Sequence, residues 1–123
     1  MKYVDGYVLV VPETKLEDYR QMAEAGAKAW KKHGALEYYE CVQDDMNPKD
    51  VVFTFPVMAK SQPGELVIFS FIVYNSRQHR DEVNAKVMKE REAEMNKPEN
   101  KDKPMPFDMK RMAFGGFKVI VEA

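Results

Sequence analysis

Glu65-Leu-Val-Ile-Phe-Ser-Phe-Ile-Val-Tyr74 is the stretch from which the fold can be read. It is dense in β-branched and aromatic residues and bounded by Pro63-Gly64 and Asn75-Ser76, the pattern of a strand. It is apolar on both faces, and a strand of that kind belongs in the middle of a sheet, covered from both sides.

After it, Asn75-Ser76 caps a helix predicted to run to about Met95, with Val83, Val87 and Met88 as inward anchors and a charged, solvated remainder. Residues 96–110 read as a loop, polar at first and then stiffened by Pro104 and Pro106. That loop delivers Asp108, Lys110 and Arg111 to a last strand predicted over 111–121. Gly115-Gly116 within this strand points to a bulge or a close backbone contact.

Before it lies a long connection, 46–63, with Pro48, Pro56 and Pro63. It is too apolar for a free linker and is expected as an ordered flap with one helical turn. Ala35 to Val42 is a further strand, leading into Gln43-Asp44-Asp45. Thr14-Lys-Leu-Glu17 has the form of a capping box. It opens a helix whose stripe is Leu16, Tyr19, Ala23, Gly26, Ala27 and Trp30, with Gly34 at its C-terminal end. Tyr3 to Val11 is the first strand. Its small face (Val4, Gly6, Val8, Val10) suits a packed helix, and Gly26 is expected to approach that face closely. Its bulkier face carries Asp5 between Tyr3 and Tyr7.

The order strand, helix, strand, strand, helix, strand predicts a single α+β domain over 1–123. The simplest packing is a ferredoxin-like βαββαβ sandwich with an antiparallel sheet in the order 4-1-3-2 and both helices on one face. Two helices cover one face only, so a large apolar face remains. A second copy laid against it gives a homodimer with the character of an α/β barrel. The alternative cover is the flap, which is short.

Bulk properties narrow the partners. The 123 residues carry 19 basic and 20 acidic side chains, with a pI of about 6.1. Nucleic acid or an anionic membrane would call for a basic excess, so neither is expected as a partner. The single Cys41 rules out an intrachain disulfide and fits a reducing, cytoplasmic setting; it is expected as a buried structural thiol. No secretory h-region or membrane-length apolar run is present.

Tyr3-Val-Asp-Gly-Tyr7, His33-Gly-Ala-Leu36, Glu40-Cys-Val-Gln-Asp-Asp45, Val67-Ile-Phe-Ser-Phe71, Lys86-Val-Met88 and Pro104-Met-Pro-Phe-Asp-Met-Lys-Arg-Met112 with Gly115-Gly-Phe117 resemble the YbaA-like family of small bacterial proteins, a family of unknown function. The resemblance spans essentially the whole chain. It implies a ferredoxin-like fold of the dimeric α/β barrel superfamily and brings no catalytic residues with it. That superfamily holds cofactor-free monooxygenases, haem-degrading enzymes and lactone isomerases, so fold alone chooses no activity.

The candidate chemistry falls into two groups, at opposite ends of the sheet. At one end are Asp5 and His33, the candidate catalytic residues. A buried Asp5 would have a raised pKa suited to a general base, or would simply be satisfied by a neighbouring hydroxyl, lysine or turn. His33 either caps its helix or pairs with Asp5 for proton transfer. At the other end are Asp44, Asp45, Asp108 and Arg111, candidates for substrate binding. Arg111 would fork onto a substrate carboxylate, or bridge the aspartates to pin loop to strand. No zinc-type Cys/His spacing, phosphate loop or nucleophile elbow occurs, and no cofactor is expected. The expected function is small-molecule binding in the barrel cavity, with or without turnover. The alternative is a non-catalytic module for a metabolite or protein.

Overall fold

The computed structural model describes residues 1–123. The chain is α+β: β1 (Tyr3–Pro12), α1 (Leu16–Lys32), β2 (Glu37–Val42), α2 (Phe55–Ala59), β3 (Glu65–Tyr74), α3 (Arg77–Met95) and β4 (Ala113–Lys118). The strands form one open antiparallel sheet in the order β2-β3-β1-β4. β3 is central, as its two apolar faces require.

The helices pack on the bulky face of β1, contrary to the expectation from its small face. Tyr3, Asp5, Leu9 and Val11 are buried there with Ile68, Ile72 and Tyr74 of β3, under Tyr19, Ala23 and Trp30 of α1 and Val83 and Val87 of α3. Large side chains fill the wide gap between sheet and helices, so the bulkier alternation points inward. Gly26 follows the same correction. A Cβ there would lie 3.3 Å from the Tyr38 hydroxyl of β2, so the glycine makes room for a tyrosine rather than for β1.

α1 begins later than the capping box suggested. Glu13–Lys15 form a 3-10 turn, Leu16 opens the helix, and neither start has a side-chain cap. Its end follows the chain's chemistry closely. Gly34 takes the left-handed φ of 115°, with Ala35 N–H bonded to Trp30 C=O and Gly34 N–H to Lys31 C=O, a Schellman motif. Ser76 caps α3, its hydroxyl accepting from the His79 N–H at 3.0 Å.

β4 spans 113–118 rather than 111–121, because Met109–Arg111 coil into a 3-10 turn capped by Asp108. Its pairing with β1 runs unbroken from Tyr3↔Lys118 to Val8↔Ala113, so Gly115-Gly116 forms no bulge. Aromatic rings use the space instead. Tyr3 lies over Gly116 on the helix side, and Phe117 lies over Gly6 on the opposite side.

The second sheet face is partly covered. α2, the helical turn of the flap, sets Ala59 against Val10 and Val67. Beyond it Tyr39, Phe69 (43% exposed) and Phe117 (61% exposed) stand in solvent. Cys41, paired in register with Phe69, is also exposed, not the buried thiol expected from sequence.

Candidate functional site

Polar side chains gather at two places, one inside the helix–sheet layer and one at the far end of the sheet. The inner group starts from Asp5, which is completely buried. The alternation of β1 aims it at α3, and α3 answers with Arg80 and Asn84, one turn apart on the inward side. Asn84 Nδ2 donates to Asp5 Oδ2 at 3.3 Å, while its Oδ1 accepts from Trp30 Nε1 and from the Tyr74 hydroxyl, both at 3.0 Å. Arg80 Nη1 lies 3.3 Å from Asp5 Oδ1 but off the hydrogen-bonding direction, leaving that oxygen without a well-formed bond. The Arg80 guanidinium also reaches the Tyr3 hydroxyl at 3.3 Å, sits 5.0 Å from the Tyr3 ring centre, and contacts Asp81 at 3.1 Å.

Burial raises the Asp5 pKa above the ordinary carboxylate value, while Asn84, Arg80 and Tyr74 pull it down by less. The result is an acid held inside the protein with its charge poorly solvated. No solvent-borne molecule reaches its oxygens in this arrangement.

A second carboxylate, only partly buried, lies on the same side of the sheet two strands away. Glu40 of β2 accepts from the Tyr19 hydroxyl at 2.6 Å and the Tyr38 hydroxyl at 2.7 Å. Burial and the Glu40 charge raise both phenols far above their usual range. Glu40, Arg80 and Asn84 were not singled out from sequence. The signal that would have found them is parity: Glu40 shares its alternation with Tyr38, and Arg80, Asn84 and Val87 share a helical face with Val83.

His33 does not join Asp5. It ends α1, and its Nε2 meets Glu90 Oε2 of α3 at 2.9 Å, with Lys32 bound to the other oxygen at 2.7 Å. The pair therefore ties α1 to α3.

At the other end Arg111 is surrounded by acceptors. Nη1 and Nη2 fork onto Glu65 at 2.7 and 2.6 Å, Nε donates to Asp108 Oδ2 at 2.9 Å, and Nη1 also meets the Lys60 carbonyl at 3.0 Å. Hydrogen bonding from Arg111 holds the Glu65 and Asp108 carboxyls below their ordinary values. The guanidinium thus fastens the loop before β4 to the start of β3 and to the end of α2. It has the bridging role weighed from sequence, but with Glu65 in place of Asp44 and Asp45, which lie exposed and outside the clamp. A hollow of about 120 Å³ beside it is lined by Pro12, Lys15, Met105, Pro106 and Phe107.

A larger groove, about 230 Å³, opens between β1, β3 and β4 and is lined by Gly6, Val8, Phe69, Gly115 and Phe117 among others. It is almost wholly apolar and lies where glycines leave the strands bare. No group of three acidic, histidine or cysteine side chains converges as a metal site would. No helix is long and apolar enough to cross a membrane.

Known proteins share this chain's whole length. The "Uncharacterized protein YbaA" of Escherichia coli strain K12 is 41% identical over 124 aligned positions, covering 99% of each chain. The protein of the same description from Shigella flexneri matches at the same identity and coverage. The family described as "Protein of unknown function (DUF1428)" matches residues 2–109. The chain therefore belongs to the DUF1428 family and is similar to YbaA of enteric bacteria.

Proposed function

We propose that the protein is a cytoplasmic homodimer of ferredoxin-like protomers, joined through their open sheet faces into an α/β barrel, and that it binds a small apolar molecule between the sheets. The observation that carries this reading is the open face itself, with Tyr39, Phe69, Phe71 and Phe117 on one side of the sheet and α2 covering only the Val10–Val67 end. Strand spacing and rise give that face about 500 Å² in plan, before side-chain relief is counted. That lies toward the top of the roughly 300–600 Å² of a monomer's largest apolar patch, and side-chain relief brings it nearer the roughly 800 Å² per partner of a standard interface. A facing sheet would roof the Gly6–Gly115 groove and turn it into a cavity.

Binding without a tightly held cofactor fits better than catalysis. Asp5 is enclosed, His33 is paired with Glu90, and every arm of Arg111 is occupied. Light scattering at micromolar concentration tests the dimer. Twice the protomer mass is expected, with Phe69→Lys falling to a monomer that keeps its helical dichroism. A stable wild-type monomer contradicts the proposal.

A further inference from the structure

The flap between β2 and β3 carries more exposed apolar surface than any other turn of the chain. Val51, Val52, Phe53, Phe55, Val57 and Met58 all stand in solvent, Val52 95% exposed and Phe53 69%. The segment is nevertheless well fixed. Before the tip, Asp50 takes the left-handed φ of 69° and Val51 N–H bonds the Pro48 carbonyl. Behind it, Ala59 packs on Val10 and Val67, and Arg111 bonds the Lys60 carbonyl. The tip is thereby held off its own sheet.

Flap and groove are neighbours on one face. Phe55 of the flap lies 6.4 Å from Phe69, and Phe69 is also a wall of the 230 Å³ groove between β1, β3 and β4. The open face is therefore a ridge beside a hollow, with Phe69 between them. That form is self-complementary. A two-fold axis lying between two facing sheets and passing over Phe69 sets each ridge onto the other's hollow. Area points to the same occupant. The six flap residues leave on the order of 600 Å² in solvent, taking ~150–250 Å² for each whole side chain. Added to the sheet face, this carries the patch past the roughly 800 Å² per partner of a standard interface and beyond what a monomer leaves bare.

We propose that the groove of each protomer is closed in trans: Val52 and Phe53 at the flap tip of one protomer lie over the groove lined by Gly6, Val8, Ala113, Gly115 and Phe117 of its partner. This rests on the dimer proposed above and adds the segment that seals its cavities. A single protomer then has no complete site, because each cavity is built from both chains.

Cross-linking between marked chains tests it. Cys41→Ser removes the only native thiol. In that background Phe53→Cys and Ala113→Cys are placed in separate chains, refolded together and treated with a short bis-maleimide. The expected product is a linked pair holding one chain of each kind, with little linkage in either variant alone. Phe53→Ser should raise the dimer dissociation constant about thirtyfold or more by sedimentation, the loss of an anchoring aromatic. Met95→Ser, also at an exposed apolar side chain but on α3, should leave it unchanged. A wild-type dimer without the mixed link, a chain with both cysteines that links within itself, or an unchanged constant in Phe53→Ser overturns the inference and leaves the dimer standing. A monomeric wild type overturns both, and monomers that sediment with phosphatidylcholine vesicles would assign the flap tip to a lipid surface instead.

Discussion

The phenol ring of Tyr3 fills the space above Gly116: a Cβ on that glycine would lie 2.7 Å from Cε2 and 2.8 Å from Cζ of the ring. The ring has no easy retreat, since Arg80 lies over it and bonds its hydroxyl. Gly116→Ala should therefore destabilise the protein by about 1–3 kcal/mol, the usual cost of overpacking. Gly115→Ala, whose Cβ would meet Phe117 at an ordinary 3.7 Å, should be near neutral. Urea denaturation of the two variants distinguishes this from a general cost of side chains in β4.

Asn84 joins α1, α3, β1 and β3 through a single amide. Asn84→Ala leaves the Trp30 N–H and the Tyr74 hydroxyl without their acceptor and Asp5 without its donor. A loss of about 2–4 kcal/mol is expected from the unsatisfied groups. Trp30 emission should shift as well, which a distant destabilising change would not cause in the folded state.

The two polar groups should respond to pH in opposite directions. The folded-state pKa of Asp5 is raised above 3.8, so the native state holds its proton more tightly than the unfolded chain. Its contribution is fullest below pH 3.8 and is lost as pH rises through the folded value. Glu65 and Asp108 are lowered from 4.5 and 3.8, so theirs is present above those values and lost as pH falls through the folded ones. Stability curves against pH for Asp5→Asn and Glu65→Gln, each set against wild type, should therefore differ in opposite senses across the acid range. Parallel difference curves would contradict the assignment.

Arg111 holds the flap, so its removal should be felt at a distance. Arg111→Met should speed amide exchange across 55–60 and 104–112 while leaving the central β1–β3 amides protected, because the clamp's contacts are confined to Glu65, Asp108 and Lys60. Exchange read by mass spectrometry checks this, and uniform acceleration would argue against a local fastening.

Cys41 offers a chemical probe of the proposed dimer. It is exposed in the protomer and stands beside Phe69 on the open face. In the dimer it should react slowly with a thiol reagent, and Phe69→Lys should restore fast labelling. Equal rates in both would mean that the facing sheet does not cover β2.

The strands and helices were legible because each is written locally: β-branched runs, a helical stripe ended by Gly34, a capping Ser76. What failed were readings that depend on which neighbour arrives. The small face of β1 looked made for a helix, yet the layer gap demanded Tyr3, Leu9 and Val11. Gly26 and Gly116 signalled close approach correctly, but the approaching groups are the side chains of Tyr38 and Tyr3. The Asp5–His33 pairing failed similarly. Both lie at one end of the sheet, but Arg80 and Asn84 project from α3 over Asp5, while Glu90 draws His33 outward. Arg111 was rightly read as a bridge, and Glu65 was missed because a residue opening an apolar strand gave no sign of being its partner.

The pairing of β4 with β1 has a consequence for how the chain is made. Val119 N–H bonds Lys2 C=O, and every rung from Tyr3 to Val8 joins residues more than a hundred positions apart. During synthesis β1 can acquire β3 once residue 74 has emerged, but its other edge stays bare until 113–118 follow. For that interval the growing protein carries an exposed strand edge able to pair with another nascent chain. Gly6 makes that temporary edge smooth, and only the arrival of Phe117 over it and of Gly116 beneath Tyr3 closes it.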